Sequence, residues 1–185
     1  MNYYVNSREV FYRNIKRKIL IEEYLEEESG GPVIDYKFFV YDGVARFFSV
    51  TLRRSVAGER VVIYFERAGR RMPVRVDFHE DAREGSEPRT EDRSQKNPLE
   101  PFTLPANMEQ LLDVADGLGR GFDFMRVDLY SPGGRVVFGE FTSLPVGGLR
   151  PFDPPVYDRI FGADWKLTLS DTGPEDVAAA ETGAT

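Results

Sequence analysis

From Arg126 to Pro145 the chain reads Arg-Val-Asp-Leu-Tyr-Ser-Pro-Gly-Gly-Arg-Val-Val-Phe-Gly-Glu-Phe-Thr-Ser-Leu-Pro, two arms around a Pro-Gly-Gly break. In the first arm Met125, Val127 and Leu129 alternate with Arg126, Asp128 and Tyr130, the period of a strand with one buried face. Pro132-Gly133-Gly134 suits a three-residue hairpin loop, with proline opening the turn and a glycine taking the left-handed conformation. Such a loop sets Ser131 opposite Arg135, Asp128 opposite Phe138 and Arg126 opposite Glu140, so that Asp128, Glu140 and Thr142 share one face. The two carboxylates then become diagonal neighbours, with β-carbons roughly 7–8 Å apart. Two hard cations, each about 2.0–2.1 Å from its oxygen ligands, fit between the carboxylate tips, and Arg126 beside them can take a phosphate oxygen. The plainer alternative is a solvated hairpin face whose Arg126–Glu140 pair contributes less than about 1 kcal/mol.

Immediately upstream lies the clearest helix of the chain. Pro105-Ala106-Asn107 starts it, Asn107 is a suitable N-cap with Gln110 placed as in a capping box, and Leu111, Leu112, Val114, Ala115 and Leu118 form its apolar stripe. Gly119 and Gly121 end it. Earlier, runs from Asp35 to Tyr41 and from Val44 to Arg53 flank Asp42-Gly43, the strongest short hairpin signal there is. Ile19-Leu20-Ile21 reads as a short strand buried on both faces, running out at Glu22-Glu23-Tyr24-Leu25. These elements predict an α+β fold, a mostly antiparallel sheet with helices packed on it.

The remaining segments are expected to frame this core. Residues 1–18 mix aromatic and basic side chains and read as a partly helical lead-in. Six arginines between Arg54 and Arg75 surround the apolar run Val61–Phe65, but Glu59, Glu66 and Asp77 interleave them. That pattern predicts a charged outer sheet face, with an anionic-polymer patch as the alternative. Residues 79–98 are almost wholly charged or small polar, cannot bury a core, and are expected to form a mobile loop. Residues 151–162 read as a turn into a short closing helix, and 170–185 as a disordered tail.

Composition narrows the chemistry. At 185 residues the chain is long enough for one domain with a sizeable core, and its 13% aromatic content favours a sheet with large buried side chains. A formal net charge of −7 argues against a dedicated nucleic-acid binder. With no cysteine, disulfide frameworks, thiolate zinc clusters and a cysteine nucleophile are all excluded. One histidine, His79, leaves no Ser-His-Asp triad and no multi-histidine metal site to assemble. Acid–base and metal work falls to carboxylates. No apolar run approaches the roughly 20 residues of a membrane span, and the N-terminus has no signal-peptide pattern, so a cytoplasmic location is expected.

The motifs, taken in order, resemble a known family. Arg126-x-Asp128, Glu140 twelve residues after that aspartate, then x-Thr142 and the Pro145-x-Gly147-Gly148 turn resemble the magnesium-binding end of the ATP-grasp fold. More narrowly, Phe138-Gly139-Glu140-Phe141-Thr142 followed by Pro151-Phe152-Asp153-Pro154 is similar to the TupA-like branch, associated with teichuronopeptide and polysaccharide biosynthesis. The likeness runs from Asn2-Tyr3-Tyr4 to Lys166. It implies a partial ATP-grasp domain over residues 1–169, the C-terminal lobe of that fold. Family members carry a further stretch ahead, with a strand lysine and a glycine-rich loop, and the resemblance implies a truncated form that begins after it.

The same resemblance implies ATP and Mg2+ as cofactors and an amide-forming carboxylate–amine ligase acting through an acyl phosphate. Its substrates would be a nucleotide plus small-molecule or glycan-precursor carboxylate and amine partners of a cell-surface polysaccharide or peptide, with no specific nucleic acid. Asp128, Glu140 and Thr142 would hold the magnesium, and Arg126 would steady the transferring phosphoryl group. Glu22, Glu23 and Leu25 would read adenine, Asp35 the ribose hydroxyls, and Lys37 and Arg53 the phosphates. Two alternatives stand beside these roles: Glu22–Leu25 as a strand exit ending in solvated acids, and the whole chain as a non-catalytic binding or scaffold module derived from an ATP-grasp fold.

Overall fold

A computed structural model describes residues 15, 16, 18–28, 30–52, 61–76, 102–148 and 150–166. Most of the lead-in, the 79–98 loop, the 170–185 tail and Arg53 lie outside the described residues. Strands β1 (Asp35–Tyr41), β2 (Val44–Leu52) and β3 (Val61–Glu66) come first, then a short β4 (Arg75–Val76) and helix α1 (Met108–Leu118). Strands β5 (Phe124–Tyr130) and β6 (Val137–Thr142) follow, then the short β7 (Phe152–Asp153) and helix α2 (Val156–Gly162). The main sheet has five strands in the order β3-β2-β1-β5-β6, each antiparallel to its neighbour, and β4 pairs with β7 in a separate ribbon. The expected α+β architecture is present.

The sheet has two unlike faces because its strands alternate. Tyr36, Phe38 and Val40 of β1, Phe48 and Val50 of β2 and Met125, Val127 and Leu129 of β5 meet Leu111, Leu112 and Ala115 of α1 in one core. Phe38, Phe48, Val40, Val127 and Leu129 are fully enclosed there, and burying each such side chain contributes roughly 1.5–3 kcal/mol. The opposite face is split lengthwise. One half holds Phe39, Tyr41, Phe47, Tyr64 and Phe124 under Phe161 of α2. The other half is polar and carries the site described below.

Local chemistry accounts for the turns and helix ends. Asp42 and Gly43 both take positive φ, 48° and 75°, the primed geometry that suits the right-handed twist of paired strands. Helix α1 ends at Gly119, where a β-carbon would lie 2.9 Å from Val40 Cβ and closer still to Val40 Cγ1, so glycine lets the helix end sit on β1. Asn107 occupies the expected N-cap position but makes no side-chain cap bond. Its amide nitrogen instead donates to Gly134 O at 2.8 Å, and its oxygen accepts from Ser131 Oγ at 3.0 Å. The helix start is therefore tied to the β5–β6 loop. Ion pairing secures the other end: Arg67 grips Asp116 through both amino groups while Asp116 Oδ1 accepts from Ala45 N.

Two expectations are corrected. Ile19, Leu20 and Ile21 form no strand and are 92%, 80% and 93% exposed. An apolar triplet becomes a buried strand only if a neighbour accepts its backbone groups, and none of the described residues pairs with it. The second correction concerns β5 and β6. Tyr130 pairs with Val137 and Leu129 with Phe138, then the register shifts so that Asp128 faces Glu140 and Arg126 faces Thr142. The connection is one residue longer than a three-residue loop, and Gly139 is an extra residue in β6. A β-carbon at Gly139 would stand 2.9 Å from Tyr130 Cε2 and 3.1 Å from Asp128 O, so glycine suits this bulge.

Candidate active site

The slip amounts to two residues in total, and side chains two apart share a face. Asp128, Glu140 and Thr142 therefore still point the same way, but the carboxylates stand directly opposite instead of diagonally, at a typical β-carbon spacing of about 4.5–5.5 Å. Following the pairings across the sheet, Ser49 of β2 faces Lys37 of β1, Lys37 faces Asp128 of β5, and Asp128 faces Glu140 of β6. Asp35 and Thr51 form the neighbouring pair on the same face. The interior of the sheet thus carries a polar row over four strands.

These side chains form one charged network. Lys37 Nζ donates to Asp128 Oδ2 and lies 2.8 Å from Asp35 Oδ2. Arg126 Nε donates to Asp128 Oδ1 at 2.7 Å. Its Nη2 reaches three oxygens, each at 2.8 Å: Asp128 Oδ2, Glu140 Oε1 and Thr142 Oγ1. Thr142 Oγ1 in turn donates to Glu140 Oε1 at 3.1 Å. Burial is uneven, with side-chain exposures of 2% for Asp128, 9% for Lys37 and 13% for Arg126 against 62% for Glu140. The row is closed at β1 and open to solvent at β6.

Electrostatics favour the charged form of Arg126. Burial disfavours the Arg126 cation, but the hydrogen bonds and charge of Asp128, with Glu140 and Asp35 behind it, outweigh burial and hold the guanidinium above its ordinary range. Among the described residues three carboxylates, Asp35, Asp128 and Glu140, face two cations, Lys37 and Arg126. Ion pairs this buried gain little net stability over an apolar pack, yet removing one partner strands the other at a cost of roughly 3–5 kcal/mol. Such a row suits binding of a charged ligand better than it serves folding.

The sequence profile described as TupA-like ATPgrasp matches residues 1–166. The chain belongs to the TupA-like ATP-grasp family. It matches no curated protein and no solved structure. ATP-grasp proteins in general are ATP-dependent and ligase-type and use ATP and Mg2+, and the donor set of the row is compatible with that metal. Asp128 Oδ2, Glu140 Oε1 and Thr142 Oγ1 are hard oxygen donors converging on one point, at present the position of a cationic nitrogen. Among the described residues no three His, Cys, Asp or Glu side chains group to hold a metal by themselves. An ion here would complete its shell with Thr142 and with water or phosphate oxygens, as Mg2+ usually does. No helix among the described residues is long and apolar enough to cross a membrane.

Of the residues singled out from the sequence, Arg126, Asp128, Glu140, Thr142, Asp35 and Lys37 come together in this network. Glu22 and Glu23 do not join it: both are exposed, Leu25 is half-buried, and none of the three has a hydrogen bond or ion pair to the row. Their stretch leads into a loop bound to the body of the fold, with Glu27 Oε1 accepting from Ile34 N and Glu28 packed over Gly133 in the β5–β6 connection. Arg53 follows the last described residue of β2. Sequence reasoning passed over Ser49 and Thr51, both buried on the polar half of the face, with Thr51 Oγ1 lacking a hydrogen-bond partner among the described residues. Their signal was available: in Phe47-x-Ser49-x-Thr51 the inward positions turn from aromatic to hydroxyl where the face turns polar.

Proposed function

We propose that this chain is an ATP- and Mg2+-dependent carboxylate–amine ligase of the cytoplasm, forming an amide on a cell-surface polysaccharide or peptide precursor by way of an acyl phosphate. The observation that carries this is the convergence of Asp128, Glu140 and Thr142 on one point, now held by Arg126 Nη2, with buried Lys37 beside Asp128 on the same sheet face. In such a reaction the γ-phosphoryl group moves from ATP to a carboxylate oxygen with release of ADP, and the amine then displaces phosphate at the carbonyl carbon. A magnesium ion, when bound, would supply positive charge against the phosphates.

The chain's own residues supply position and field. Asp128, Glu140 and Thr142 would hold the ion, and Arg126 and Lys37 would offer donors to phosphate oxygens. Asp35, beside Lys37 at the start of β1, is proposed to accept from ribose hydroxyls. Glu22, Glu23 and Leu25 are proposed for the adenine, Glu22 through its carboxylate and the other two through the main chain, which their position outside any strand leaves available. Arg53 is proposed as a further phosphate contact. Low dielectric around Asp128 and Lys37 strengthens the interactions that these two side chains make.

Calorimetric titration of Mg-ATP tests this. Wild-type protein binds, whereas Asp128→Asn and Glu140→Gln lose about tenfold or more in affinity while keeping the wild-type circular dichroism spectrum. Unchanged affinity in both folded variants would overturn the proposal. The exposure of Glu22 and Glu23 favours a second reading, a binding module without turnover; it predicts Mg-ATP binding with no ADP released in the presence of any carboxylate and amine pair.

A further inference from the structure

Metal and arginine compete within this site. Arg126 Nη2 stands 2.8 Å from each of Asp128 Oδ2, Glu140 Oε1 and Thr142 Oγ1. An ion bound to those oxygens at about 2.0–2.1 Å needs the same point, and two positive groups cannot occupy it together. The guanidinium has a second hold that survives such a displacement, because Nε pairs separately with Asp128 Oδ1 at 2.7 Å. Lys37 makes no comparable claim: it contacts Asp128 and Asp35 but neither Glu140 nor Thr142.

We propose that Arg126 is the resident cation of the carboxylate row and is exchanged for the metal only when nucleotide phosphates arrive to take over Nη2. This rests on the row being a magnesium–nucleotide site. Without phosphate, a metal entering alone must take the acceptors of the Nη2 hydrogens of a side chain only 13% exposed, which is costly for a charged donor. With phosphate present, the same hydrogens pass from carboxylate to phosphate oxygens at little loss. Arg126 therefore acts as a positioning residue that keeps two carboxylates and a hydroxyl together in the free protein and makes metal binding conditional on nucleotide. Glu140, 62% exposed, is the side from which the ion enters.

Mn2+ binding, read by the free-ion electron paramagnetic resonance signal, tests the exchange on the full chain with and without ADP. Wild type is expected to bind Mn2+ alone weakly and at least about tenfold more tightly with ADP. Arg126→Gln is expected to bind Mn2+ alone about tenfold or more tightly than wild type, with little further gain from ADP. Arg126→Lys keeps the charge but loses the fork and should fall between them. Lys37→Met removes a neighbouring positive charge and should gain less than Arg126→Gln, since a gain of equal size would reduce the effect to net charge and overturn the exchange. Equal affinity of wild type and Arg126→Gln for Mn2+ alone, with Mn-ADP binding intact, would sink the exchange and leave the proposed function standing. Failure of wild type to bind Mn-ADP at all would sink both. A measurement on the unaltered protein guards against misfolded variants: the Arg126 Nε–Hε resonance should move on addition of Mg-ADP and stay in place with Mg2+ alone, and movement with Mg2+ alone contradicts the exchange.

Discussion

Lys37 and Tyr36 are neighbours on β1 that face opposite ways, and their environments differ accordingly. Lys37 lies in the polar half-face between two aspartates. Tyr36 lies in the α1 core, where burial, with the charge of Glu27 behind it, pushes its hydroxyl up to about 12. Tyr41 is raised in the same direction, again chiefly by burial. A tyrosine in the unfolded chain titrates near 10, so the folded state holds the proton more tightly. The resulting stability is complete below pH 10 and is lost as pH rises towards 12, at about 1.4 kcal/mol for each pH unit crossed. Urea denaturation of wild type and Tyr36→Phe at pH 9 and pH 11 measures this. Wild type should lose more between the two than Tyr36→Phe, and parallel losses would refute the assignment.

The residue identities of the row were legible because strand alternation preserves faces. Asp128, Glu140, Thr142 and Arg126 were placed on one face from the sequence, and they share it. Their pairing was not legible. The longer connection and the Gly139 bulge each add one residue, and a glycine within a strand can mark a bulge or simply a weak spot.

At the level of elements, α1 shows how packing overrides local chemistry. Its apolar stripe announced the helix, yet Asn107, suited to capping, turns to the β5–β6 loop instead. That alternative depends on a loop 24–27 residues away, which no local pattern encodes. The two glycines near the helix end also behave differently. A β-carbon added at Gly117 would meet nothing within 4 Å, whereas one at Gly119 would run into the fully buried Val40. Gly117→Ala should stabilise the protein by up to about 1 kcal/mol through helix propensity. Gly119→Ala should cost about 1–3 kcal/mol through overpacking. Urea midpoints at constant slope decide the matter, and a neutral Gly119→Ala would mean that α1 does not rest on Val40 as described. The Ile19–Ile21 segment shows the opposite failure: its composition suits a buried strand, but burial is a property of neighbours, and those are not in the triplet.

For the whole molecule, the sheet separates two tasks. One face and half of the other are filled by aromatic and aliphatic side chains that stabilise the fold, leaving the remaining half-face, on β2, β1, β5 and β6, to hold charge. The α+β class, the two hairpins and the long helix were all legible from periodicity. The strand order was not, because bringing β1 between β2 and β5 joins segments about 90 residues apart, and it is this non-local pairing that sets Lys37 beside Asp128. The central claim is that this half-face binds a metal–nucleotide. Paramagnetic broadening of backbone amide resonances by Mn-ADP measures it directly. Broadening should be strongest at Arg126, Asp128, Glu140 and Thr142, weaken across β1 and β2, and be least in the turn from Glu66 to Arg70 at the far edge; broadening that shows no preference for β5 and β6 would contradict the account.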